Sequence, residues 1–126
     1  MKMVLLAAAG GGIGAAARYL VGIGAGRMFG HGFPWGTLTV NIVGSLLMGL
    51  LIGAWALRFN ATQEVRVFMA TGLLGGFTTF SAFSLDFVTL FERKDYSAAF
   101  TYLMSSVGVS VLALFIGLFL SREFLK

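Results

Sequence analysis

The sequence predicts an all-α membrane protein with four transmembrane helices, the third interrupted at its centre, and three observations carry that prediction. Hydrophobic residues make up 58% of the 126 residues and charged residues only 11%, and the mean hydropathy is +0.91; a soluble domain has roughly a quarter charged residues. Apolar residues gather into four stretches, each able to supply the ~20 residues that cross about 30 Å of hydrocarbon as a helix. Within the third, Gly72-Leu73-Leu74-Gly75-Gly76-Phe77-Thr78-Thr79-Phe80-Ser81-Ala82-Phe83-Ser84 sets helix breakers and β-branched hydroxyl residues where a spanning helix would run unbroken. With one proline, no solenoid-period repeat and no charge-rich tail, residues 1–126 read as a single transmembrane domain.

The first span is expected over residues 3–26. Its opening, Lys2 then Met3-Val4-Leu5-Leu6 and three alanines, faintly resembles a signal peptide, but the apolar core is short and the helical pattern continues to Val21, so cleavage is not expected. Gly12-Ile13-Gly14-Ala15-Ala16-Ala17 fits a dinucleotide-binding fingerprint, which requires a βαβ unit and an acid about 20 positions on. The first acid in the chain is Glu64, so the match is accidental, and Gly10 and Gly14 suit close helix packing instead. Arg18 is the one basic side chain deep in this span.

The second span, residues 37–57, carries Asn41, Ser45, Gly49 and Gly53 at intervals of four, along one helical face. The third, residues 65–91, offers Thr78, Thr79, Ser81 and Ser84 at its break, Phe80 and Phe83 three apart, and Asp86 one turn beyond. The fourth, residues 98–120, repeats the four-residue spacing with Tyr102, Ser106 and Ser110. Short links join them: residues 27–36 with His31, Pro34 and Trp35; the polar stretch 58–64; and the charged turn Glu92-Arg93-Lys94-Asp95. Trp35, Trp55, Phe91 and Tyr96 suit the interfacial belt.

Polar groups inside spans are costly in hydrocarbon and must meet a partner or a cavity, and non-helical chain at that depth must be buried in protein or line such a cavity. Rows of neutral N–H and O–H donors, with Arg18 in reach and carboxylates kept to the edges, favour a small hard anion over a cation. The rims of Phe80 and Phe83 can add to this, since an aromatic ring is positive at its edge. Catalysis lacks parts: there is one histidine, in a loop, no cysteine and no pair of buried carboxylates. The nine Lys and Arg are spread over termini and loops, which argues against a nucleic-acid partner. Each row also has a plainer reading. Asn41 could join packed helices, Phe80 and Phe83 could fill the core, Ser106 and Ser110 could bond back to their own helix, Gly75-Gly76 could mark a tight crossing, and Arg18 could clamp backbone carbonyls. Asp86 could be a solvated mouth residue.

Four spans put both termini on one face. Lys2, Arg58, Arg66, Arg122 and Lys126 lie there, against Arg27, Arg93 and Lys94 on the other, with Arg18 buried near it. So weak a bias permits insertion both ways round and an antiparallel homodimer, while a fixed orientation with the termini inside fits the count equally.

Two stretches, Pro34-Trp35-Gly36-Thr37-Leu38-Thr39-Val40-Asn41 and the run from Gly72 to Ser84, resemble the Fluc/CrcB fluoride channels, and the resemblance covers the whole chain in length, span count and motif order. It implies a dual-topology antiparallel homodimer in the cell (inner or plasma) membrane, with two pores that export cytoplasmic fluoride passively. It implies a structural sodium ion at the dimer axis, held by the backbone carbonyls of Gly75 and Thr78. It places Asn41, Phe80, Phe83, Tyr102, Ser106 and Ser110 along the fluoride pathway, and matches Arg18 to the family's first-span arginine. Asp86 stands where some relatives carry glutamate. A four-helix exporter of cationic drugs is similar in size, but resembles a pattern with a glutamate in the first span, where this chain has no acid.

Overall fold

The protein is described here by a computed structural model that covers residues 1–57 and 60–125; Arg58 and Lys126, both weighed in the charge balance, lie outside the described residues. Its elements are α1 (Lys2–Phe29), α2 (Trp35–Leu57), α3 (residues 63–77), α4 (Ser81–Glu92) and α5 (Tyr96–Leu125). α3 and α4 are the halves of one interrupted span, so four rods are long and apolar enough to cross a membrane, as expected. Each rod runs a few residues past its apolar stretch, because helical hydrogen bonding does not stop where hydropathy does.

Local chemistry sets the ends. α1 stops at Gly30, whose φ of +80° suits a residue without Cβ and whose N–H returns to Gly26 O at 2.9 Å. Thr62 opens α3 by accepting the Val65 N–H on its hydroxyl at 3.3 Å. The turn between α4 and α5 closes through Lys94 at φ +61°, with Lys94 N–H on Phe91 O and Asp95 N–H on Leu90 O, each at 3.0 Å.

Without water to drive apolar faces together, close backbone approach holds membrane helices in contact, and two glycine seams provide it. In the first, Gly10 and Gly14 of α1 meet Gly72 and Gly76 of α3: a Cβ on Gly14 would lie 2.8 Å from Phe77 N, and one on Gly76 would lie 2.9 Å from Gly11 Cα. In the second, Gly49 and Gly53 of α2 meet Gly117 and Ser121 of α5. A Cβ on Gly49 would lie 3.0 Å from Leu118 N, and Ser121 Oγ donates to Leu50 O at 2.7 Å. The four-residue stripe of α2 therefore divides, its Asn41 end turned to the broken span and its glycine end spent on packing.

A larger-residue core fills the end of the bundle nearest residues 31–35, where Leu38, Phe83, Leu90, Ala99 and Tyr102 are buried against Phe33 and Phe87. Elsewhere large apolar side chains such as Leu20, Leu85 and Phe119 face outward, as a lipid-facing surface requires.

Candidate functional site

The break in the third span is built by diverted hydrogen bonds. α3 first loosens: Val67–Leu74 is wound as a π-helix, and the Gly75 N–H reaches back to Ala70 O. Helical winding then ends at Phe77, and Thr78 is extended (φ −86°, ψ 162°) before α4 restarts at Ser81. In a continuous helix the Thr79 N–H would close on Gly75 O; here Asn41 Oδ1 takes it at 2.8 Å, while Asn41 Nδ2 donates to Thr79 O at 3.0 Å. The Ala82 N–H would close on Thr78 O; Thr79 Oγ1 takes it at 3.2 Å. Gly76 O, whose helical donor would be Phe80, accepts Arg18 Nε at 3.1 Å. Asn41 reaches the break because Gly44, one turn on, lets α2 approach: a Cβ there would run into Thr78 Cγ2 and lie 3.3 Å from Phe77 Cδ2. The adjacent glycines have different tasks, Gly76 packing on Gly11 and Gly75 lying exposed.

Beside the break runs a furrow of about 440 Å³ between α2, the broken span and α5. Asn41, Ser45, Gly75, Thr78, Phe80, Phe83, Ser106 and Ser110 line it, and none of its lining residues is charged. The hydroxyls of the spans differ in their partners. Thr78, Ser84 and Thr89 bond back to Leu74 O, Phe80 O and Leu85 O at 3.0, 3.0 and 2.8 Å. Ser106 Oγ and Ser110 Oγ are buried; Ser106 stands beside the Tyr102 hydroxyl, while Ser110 Oγ has no hydrogen-bond partner among the described residues. An orphaned hydroxyl in a dry interior costs free energy, and Ser110 carries one on the wall of this furrow.

The two phenylalanines also differ. Their rings lie 5.5 Å apart, but Phe83 is a wall residue, 7% exposed, and Phe80 stands in the break, 77% exposed. Tyr102, expected on the polar track, does not line the furrow of the single chain. It is fully buried, packs on Phe83 at 5.2 Å and Phe33 at 5.5 Å, and donates its hydroxyl proton to Asp86 Oδ2 at 3.1 Å. Asp86 lines a second cavity of about 280 Å³, shared with His31, Thr37 and Arg93 at the end of the bundle, and Tyr102 stands between Asp86 and Ser106.

A family model described as "CrcB-like protein, Camphor Resistance (CrcB)" matches residues 5–118. The chain belongs to the CrcB family. Among its relatives is a protein of Chelativorans sp. named fluoride-specific ion channel FluC, 53% identical over 125 residues, which span 99% of this chain and all of the relative. One of the same name from Agrobacterium fabrum is 55% identical over 98% of both chains, and FluC 1 of Nitrobacter hamburgensis is 54% identical over 94% of both. These CrcB relatives are named as channels, not enzymes, and the fold is that of a multi-pass membrane protein.

The residue of this CrcB chain that the sequence underplays is Thr79. It reads as one hydroxyl among several, yet it caps the restart of α4 and presents its backbone to Asn41. The available signal is positional: a threonine three residues ahead of a helical amide is a capping residue.

Proposed function

We propose that this protein is a fluoride-selective channel of the cell inner membrane that lets cytoplasmic fluoride leave down its gradient and so confers fluoride resistance. The observation that carries the proposal is the row of buried hydroxyls, Ser106 and the unpartnered Ser110, on an uncharged furrow. Each O–H is free to rotate toward an entering anion, and a hydrogen bond to an ion is roughly twice as strong as a neutral one. Fluoride loses its water only where such bonds replace it at short range. The row on α5, Phe80 and Phe83 line the same furrow, and the ring edges would add positive rims to the hydroxyl donors. A larger halide gains less from small donors and fits the narrow path less well. No titratable side chain lines the furrow, so transport coupled to protons within it has no carrier.

We further propose that two copies, inserted in opposite senses, pair as an antiparallel homodimer with two such pores. In a single chain Gly75, Phe80 and Ser81 of the break are exposed, and broken backbone cannot face lipid. A second copy over that face would bury it and close the open side of the furrow. The Gly75 and Thr78 carbonyls, deprived of their helical donors, are hard oxygen ligands, and they are the groups that would hold a sodium ion between the copies. Bound there, the ion would offset their clustered dipoles.

Proteoliposomes loaded with fluoride and chloride, read by ion-selective electrodes, test the proposal. Fast fluoride release without a proton gradient, and chloride retained, is the expected result. Vesicles that hold fluoride while their protein is correctly paired would overturn it.

A further inference from the structure

Two of the carbonyls freed at the break, Gly75 O and Thr78 O, have each lost their helical donor to a side-chain capture. Thr79 N–H and Gly75 O stand four residues apart, as do Ala82 N–H and Thr78 O, so each would be a helical pair. Asn41 Oδ1 holds the first N–H and Thr79 Oγ1 the second. The orientation of the Asn41 amide is fixed by its partners, because an N–H must meet the carbonyl oxygen and a C=O must meet the NH2. Between these two groups lie Gly76 O, already bound by Arg18, and Phe77 O, whose helical donor would be Ser81.

A carbonyl left without a donor in a membrane interior is costly, and the helix would recover both bonds if the captures were lost. We infer that Asn41 and Thr79 are positioning residues for the cation site, holding the Gly75 and Thr78 carbonyls open by withholding the N–H groups that would close on them. The inference rests on the sodium reading above and deepens it: Asn41, on the furrow wall, serves the anion path and the cation site at once.

The test uses the paired protein in detergent, with its thermal midpoint followed as sodium replaces potassium at constant ionic strength. Thr79→Val keeps the shape and removes the hydroxyl, and should raise the half-saturating sodium concentration by about tenfold, as loss of one hydrogen bond that holds a ligand open does. Thr79→Ser restores the hydroxyl and should return it to the wild-type value. Asn41→Leu should act as Thr79→Val does. Asn41→Asp retains the acceptor, so it should keep the wild-type sodium response even as its negative charge suppresses fluoride flux. Wild-type half-saturation in Thr79→Val overturns the inference and leaves the sodium reading standing, and this variant decides if Asn41→Leu does not pair. A wild-type protein indifferent to sodium ends both.

Discussion

At the residue scale, two serines test the proposed anion path apart from packing. Replacing Ser110 by alanine removes a buried hydroxyl that has no partner among the described residues, so the thermal midpoint should hold or rise, while fluoride flux should fall by about tenfold for one lost donor to an ion; Ser106→Ala should lower flux likewise. Ser121→Ala is the control: it breaks the 2.7 Å bond to Leu50 O and should cost about 1 kcal/mol of stability with flux little changed. The phenylalanines make a second contrast. Phe83→Ile opens space in a packed wall and should cost about 1–2 kcal/mol along with flux, whereas Phe80→Ile, at a position 77% exposed, should cost flux alone within the single chain. Electrode flux and thermal unfolding of the same preparations check both, and unchanged flux in both phenylalanine variants would remove the aromatic edges from the pathway.

At the scale of elements, glycine seams hold the bundle and leave the furrow unfilled. α1 and α3 close on Gly10, Gly14, Gly72 and Gly76, and α2 and α5 close on Gly49, Gly53 and Gly117, which leaves Asn41 and the serine row on the walls of one furrow beside the break. A Cβ at Gly49 would meet Leu118 N at 3.0 Å and Gly117 Cα at 3.1 Å, backbone atoms that cannot rotate away. Gly49→Val should therefore cost about 1–3 kcal/mol as overpacking and widen the furrow. A lower thermal midpoint with weakened discrimination against chloride is the expected pair of readouts. The π-wound turns of α3 belong to this scale too. Such bulges gather at functional sites, and this one leads directly into the freed carbonyls.

For the whole molecule, the decisive surface is the face that carries Gly75. A Cβ there meets only Ala70 O, at an ordinary 3.5 Å, so Gly75→Val leaves the single chain's packing intact. Loss of pairing and of sodium dependence in that variant, measured by size-exclusion chromatography across a sodium series, is the outcome expected if a second copy covers this face. A stable, sodium-responsive pair would place the interface elsewhere. Single cysteines in the 27–36 link, labelled from each side of the membrane, should react from both sides if insertion is dual.

The sequence by itself determined the four spans, the broken third one and the rows of neutral donors, because hydropathy and a four-residue repeat are local properties of a helix. It also carried the family, through the stretches around Asn41 and Gly75. What it left open was the task of each polar group. Asn41 read equally as pore ligand or as glue between helices; the fold sets both ends of its amide on the Thr79 backbone. Serines that could bond back to their own helix do not, while Thr78, Ser84 and Thr89 do. Tyr102 shares a stripe with Ser106 and Ser110, yet it turns to Asp86. Only tertiary structure decided these, since a hydrogen bond's direction depends on which donor or acceptor another helix brings within 3 Å or so, and periodicity within one helix carries no record of its neighbour.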